Sequence, residues 1–179
     1  RSAFSLTSIE KVIIPSSVTT IEDNAFERVV NLEVEFSSNS KLKEIKYHAF
    51  WGSIKKIIIP SSVKSINEYA FCGCQNLEIV EFLSDSELQN IEKNSFSNSN
   101  VNKIQIPSRV RVIKGYTFNG CKNLEIVEFL SNSRLEVIEE NAFSNSSIKK
   151  INIPPSVKII KTYAFNGCKN LEIVEFLSD

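Results

Sequence analysis

Ile54-Lys55-Lys56-Ile57-Ile58-Ile59-Pro60-Ser61-Ser62-Val63-Lys64-Ser65-Ile66-Asn67-Glu68-Tyr69-Ala70-Phe71-Cys72-Gly73-Cys74-Gln75-Asn76-Leu77 is the stretch on which the reading of the fold turns. Its first residues are β-branched, end in an alternating run and are too short for a helix, so they read as one short strand. Pro60 closes that strand where a missing N–H costs little, because the ladder is ending. Val63 and Ile66 form a second apolar pair, and with the small-large pair Ala70-Phe71 they line the opposite wall of the coil. A single coil of this kind cannot bury its own apolar face, so it needs copies of itself to stack against.

Copies fill the chain. Phe4, Phe26, Phe50, Phe71, Phe96, Phe118, Phe143 and Phe165 recur every 21 to 25 residues, each preceded by Ala, Ser or Thr. Self-similarity at such a period is the signature of a stacked array. The coils alternate between two kinds: Pro15, Pro60, Pro107 and Pro154 mark one, and Phe36, Phe82, Phe129 and Phe176 the other, in pairs of about 47 residues. Residues 119–131 recur unchanged at 166–178, which points to an internal duplication. The expected architecture is a repeat solenoid of about eight coils, with a parallel β-sheet on one face and irregular or short β or 3-10 segments opposite. Coils spaced about 4.8 Å apart make a rod on the order of 40 Å long. Composition does not shift anywhere, so residues 1–179 read as one domain, expected to be a fragment of a longer array.

The pattern Ile57-x-Ile59-Pro60-x-x-Val63-x-x-Ile66-x-x-x-Ala70-Phe71-x-x-Cys74-x-x-Leu77 resembles the repeat of BspA-type leucine-rich-repeat proteins, the family of the Treponema pallidum-type repeats. The resemblance covers essentially the whole chain. It implies a leucine-rich-repeat solenoid and, by analogy, a surface or secreted protein that adheres to host components such as extracellular-matrix proteins. The chain departs from the common pattern in alternate coils, where Ser99 and Ser146 stand in place of Cys and Phe replaces the Ile-Pro ending.

Composition narrows the function. Lys and Arg number 21 and Asp and Glu number 21, so no net field draws nucleic acid to the chain. No stretch approaches the roughly 18 apolar residues of a membrane span, so no direct membrane insertion is expected. Catalysis is not expected either. A nucleophile-plus-base hydrolase needs a base beside its nucleophile, and His48 is the single histidine. His48 falls where other coils carry Asn24, Tyr69, Asn94, Tyr116, Asn141 and Tyr163, which reads as a hydrogen-bonding loop position. No phosphate loop, HExxH or paired Cys-x-x-Cys occurs, so neither a metal site nor a cofactor is expected.

The cysteines read as packing residues. Cys74, Cys121 and Cys168 share a repeat position that Val29 fills in the first pair, and thiols two coils apart lie beyond the roughly 7 Å Cα reach of a disulfide. Cys72 is expected at the surface. Asn31, Asn76, Asn123 and Asn170 recur before each Leu and are expected to bond neighbouring backbone at the turn.

The outward strand positions form a lattice. Glu81, Glu128 and Glu175, with Glu35 before them, point out of every second strand, while Ile58, Gln105 and Asn152 hold that place in the strands between. Lys56, Lys103 and Lys150 stand two residues earlier, facing Ile79, Ile126 and Ile173 in the glutamate strands. Each Lys is then diagonal to a Glu on an adjacent strand. Two compatible readings follow: mutual ion pairing that keeps a flat sheet soluble, or a docking surface in which isoleucines stand between charges. Trp51, after a landmark Phe, is either an edge hot spot or a cap on the next coil. Asn145-Ser146-Ser147 is the one glycosylation sequon, and Arg109 with Arg111 makes a basic pair too small for a nucleic-acid footprint.

The function expected is a protein-binding or adhesion module of a cell-surface or secreted protein, recognising a protein partner through the strand face. The alternative is a cytoplasmic scaffold or regulatory repeat domain, which unpaired cysteines favour. Uncapped apolar ends are expected to permit self-association.

Overall fold

A computed structural model describes residues 1–178 and shows a solenoid with no helix among them. Eight strands, β1 (Lys11–Ile14), β3 (Leu32–Phe36), β5 (Ile54–Ile59), β7 (Ile79–Phe82), β9 (Lys103–Ile106), β11 (Ile126–Phe129), β13 (Lys150–Ile153) and β15 (Ile173–Phe176), form one parallel sheet in chain order. The opposite wall is a second parallel sheet of two-residue strands: β2 (Thr20–Ile21), β4 (Glu44–Ile45), β6 (Ser65–Ile66), β8 (Asn90–Ile91), β10 (Val112–Ile113), β12 (Val137–Ile138) and β14 (Ile159–Ile160). Of the irregular, short β or 3-10 segments expected on this wall, the structure has short β strands joined by turns.

The landmark phenylalanines become a continuous stack. From Phe4 to Phe165 each ring lies parallel to the next, with centroids 5.0 to 5.5 Å apart. The rings from Phe50 to Phe143 are wholly buried. The small residue before each Phe leaves room for the backbone to turn, and two left-handed residues flank the pair. Asn24, His48, Tyr69, Asn94, Tyr116, Asn141 and Tyr163 have φ between 52° and 59°, and Arg28, Gly52, Gly73, Asn98, Gly120, Asn145 and Gly167 between 55° and 71°. That conformation explains why Asn and Gly crowd these columns.

The column three residues after each Phe serves packing and hydrogen bonding together. The thiols of Cys74, Cys121 and Cys168 donate to the carbonyls of Phe50, Phe96 and Phe143, one coil earlier, each at 3.1 Å. Ser53 does the same for Phe26. All four cysteines are free, and burial pushes the thiol of Cys74 up to about 11 and that of Cys121 to about 12. Cys72 is half-buried, 3.2 Å from the Ser97 hydroxyl, rather than fully at the surface. The asparagine column also differs from expectation. Its amides bond side chain to side chain, Asn76 to Asn31 at 2.8 Å and Asn123 to Asn100 at 2.6 Å, because these side chains line up along the outside of the turn.

Strand pairing follows the two-coil unit. Within each unit the ladder runs over four residues, in β1–β3, β5–β7, β9–β11 and β13–β15. Between units it shrinks to Ile79 with Lys103 and to Ile126 with Lys150. Proline stands at the far end of each opening. Past the last paired residue inside a unit, Ser37 N–H donates to the Ile14 carbonyl at 3.1 Å and Leu177 N–H to that of Ile153 at 2.9 Å. At the corresponding place between units stand Pro60, Pro107 and Pro154, which have no N–H to donate. The sheet is therefore a series of tight pairs separated by open seams.

Candidate interaction face

The large sheet presents the lattice in the expected register. Lys56 lies beside Ile79 and Ile58 beside Glu81; Lys103 lies beside Ile126 and Gln105 beside Glu128; Lys150 lies beside Ile173 and Asn152 beside Glu175. All of these side chains point outward because strand side chains alternate faces. Ile58, Ile79, Ile126 and Ile173 are 37% to 46% exposed, enough to meet a partner. The register also brings in Lys11, Ile13 and Glu33, which the sequence reading left out of the face: Lys11 sits beside Glu33, and Ile13 beside Glu35, in the first unit. Extending the lysine column backward by one unit would have found them.

Charge pairing tracks the units. Lys11 meets Glu35 at 2.7 Å, Lys103 meets Glu128 at 2.6 Å and Lys150 meets Glu175 at 2.9 Å, all across tightly paired strands. The hydrogen bond from Lys11 to Glu35 raises the lysine above its ordinary value. No lysine of the column bridges a seam, and neither Lys56 nor Glu81 has an ionic partner among the described residues. The diagonal Lys–Glu contact is thus a property of the unit and is missing from the second one.

The first seam differs from the later ones in length. Leu32-Glu33-Val34-Glu35-Phe36 is one residue shorter than Leu77-Glu78-Ile79-Val80-Glu81-Phe82, because the outward Ile of the later units has no counterpart there. The ladder between β3 and β5 compensates with a bulge between Leu32 and Glu33, which leaves Lys55 as the extra residue. Beyond Glu33 and Lys56 the strands part. A hollow of about 640 Å³ opens there, with Val34, Phe36, Ile58, Ile79 and Leu83 among its walls and Glu33, Glu35, Glu78, Lys55 and Lys56 lining it as well. A smaller hollow of about 420 Å³ opens at the next seam, beside Ile79, Phe82, Lys103 and Gln105. The sequence reading named Lys56, Ile58 and Ile79 but missed Phe36 and Leu83, whose accessibility depends on the seam.

Trp51 is a cap. It is half-buried, the Arg28 guanidinium lies over its ring at 4.6 Å, and the His48 ring stacks against it at 5.3 Å. Its Nε1 edge closes over Gly73 of the next coil. Three coils are tied together by this one side chain, which stays partly exposed. His48, expected as a hydrogen-bonding residue, instead stacks on Tyr47 and Trp51 and meets Tyr69 edge-on. Burial lowers its pKa, with Glu27 opposing.

Six copies of the BspA type leucine rich repeat region match residues 1–55 and 51–172. The chain belongs to the BspA-type leucine-rich-repeat family. Solved structures similar to this BspA-type chain include the pneumococcal vaccine antigen PcpA, 26% identical over 92% of this chain and 40% of that one, with a TM-score of 0.70. A leucine-rich cell surface protein from Faecalibacterium prausnitzii A2-165 is 27% identical over 97% of this chain and 40% of its own, also with a TM-score of 0.70. The T. pallidum leucine-rich-repeat protein shares the fold at 21% identity and a TM-score of 0.59, over 96% of this chain and 72% of that one. This chain spans about 40% of the length of the first two. No curated protein matches it in sequence.

Proposed function

We propose that this BspA-type domain is a protein-recognition module of a cell-surface or secreted protein, docking a host or matrix protein on the outer face of its large sheet. It acts by binding rather than catalysis. The observation that carries the reading is the face itself: exposed isoleucines alternate with charges, and the first seam adds a hollow in which apolar walls lie between charged side chains, among them Lys56, which has no ionic partner among the described residues. Such a surface supplies an apolar centre with a charged rim, the composition of a specific interface. Surface placement is supported by the likeness to a vaccine antigen and a cell surface protein.

Immobilised fibronectin, laminin and fibrinogen serve as probes, with wild type compared to Lys56→Glu/Lys103→Glu/Lys150→Glu. Saturable binding that the variant loses is the expected result. Binding that the variant keeps places the site elsewhere on the solenoid. A second reading, an intracellular scaffold, is favoured by the four free cysteines, since oxidising compartments tend to pair thiols. Thiol labelling of intact cells separates the two, because Cys72 is labelled from outside only if the domain is displayed there.

A further inference from the structure

The second sheet carries a different charge pattern from the first. On the large sheet, lysines of one column are kept two strands apart by isoleucines. On the opposite wall, Arg109 and Arg134 stand on adjacent coils, where Arg134 N–H donates to the Ser108 carbonyl at 3.0 Å. Coils at this spacing hold equivalent side chains about 5 Å apart, so two guanidinium groups repel each other with no carboxylate between them. Lys114 joins them, and with Arg111 the cations surround a hollow of about 500 Å³ whose remaining walls are Gln89, Asn90, Ile91 and Val112. No carboxylate lines it. Of the neighbouring acids, Glu87 pairs with Lys64, Glu136 with Arg111 of the hollow itself and with Lys158, and Glu139 with Lys161 while also lying near Lys114. Arg109, Lys114 and Arg134 have no ionic partner among the described residues and are exposed or half-buried.

We propose that this hollow binds a linear sulfated polysaccharide. Guanidinium groups match sulfate oxygens with paired hydrogen bonds, and the amides of Gln89 and Asn90 suit the sugar hydroxyls between sulfates. Lys41 and Lys43 are further exposed cations on earlier coils of the same wall. Nucleic acid fits less well. Among the described residues no aromatic ring lines the hollow to stack a base. The site lies on the opposite wall from the protein-docking face, so it stands or falls independently of that reading.

The test is isothermal titration of the folded chain with a heparin octasaccharide at low ionic strength, beside N,O-desulfated heparin and an eight-nucleotide single-stranded DNA. Arg109→Gln/Lys114→Gln/Arg134→Gln is compared with Lys56→Gln/Lys103→Gln/Lys150→Gln, which removes as many charges from the other wall. Circular dichroism checks that both variants fold. The expected result is saturable heparin binding that weakens by at least about tenfold on desulfation or in the first variant, changes less than about twofold in the second, and falls with added salt. Absent binding, equal loss in both variants, no loss in the first, or DNA binding as tight as heparin binding overturns the proposal.

Discussion

Phe96 sits at the middle of the aromatic stack, wholly buried between Phe71 and Phe118. Truncating it leaves a cavity that neighbours on two coils cannot both fill, so Phe96→Ala should cost about 3–5 kcal/mol by chemical denaturation. The buried thiols make a prediction of the opposite kind, in pH. Cys74 and Cys121 keep their protons in the folded chain up to about 11 and 12, whereas the unfolded chain releases them nearer 9. Their contribution is fully present below pH 9 and is lost as pH rises through the folded values. Stability should therefore fall between pH 9 and 11 by about 1.4 kcal/mol per unit for each thiol. Cys74→Ser/Cys121→Ser should flatten that slope while keeping the hydrogen bonds, as Ser53 does for Phe26. The packing role of this column was legible because Val29 occupies it. Its hydrogen bonds were not, since valine cannot make them. The left-handed column was half hidden for a similar reason: Asn24, Asn94 and Asn141 announce it, while Tyr69, Tyr116, Tyr163 and His48 do not.

At the scale of the strands, the outward lattice could be read from sequence because side chains alternate strictly, so one register fixes every column. The seams could not. Proline at the end of β5, β9 and β13 reads as a harmless strand stop, and only the paired arrangement shows that the missing donor faces the preceding strand. The missing residue in Leu32-Glu33-Val34-Glu35-Phe36 was visible in the sequence, but its consequence, a bulge and a hollow, appears only against β5. Inserting Ile between Glu33 and Val34 restores the length of the later units. It should remove the bulge and slow amide exchange at Lys55 and Lys56, where a regular ladder would resume, while the seam past Lys56 stays open as in the later units; unchanged exchange at Lys55 and Lys56 would show that the short segment is not what makes the bulge. The ion pairs themselves contribute little. Lys103→Gln should shift stability by no more than about 1 kcal/mol, because Lys103 and Glu128 are both solvent-exposed.

For the molecule as a whole, stability is a sum over coils and the contacts between neighbours. Residues 119–131 and 166–178 are identical, so excising residues 120–166 removes one unit and rejoins the chain in an unchanged sequence context. The shortened protein should still unfold cooperatively, with a denaturant dependence reduced by about a quarter, since that slope follows the surface exposed. Loss of cooperative unfolding would mean that the units are not equivalent. The same modularity leaves the exposed face free to vary without cost to the core, which is why fold was more legible than function. The central claim is that the lysines of the large sheet act by contacting a partner and not by holding the sheet together. The direct test measures binding to whichever matrix probe wild type captures, using Lys103→Glu/Lys150→Glu and the charge swap that adds Glu128→Lys and Glu175→Lys. The swap restores both ion pairs with their signs exchanged. Binding lost in both variants, with the swap as stable as wild type, is the predicted result; binding restored by the swap would contradict the account.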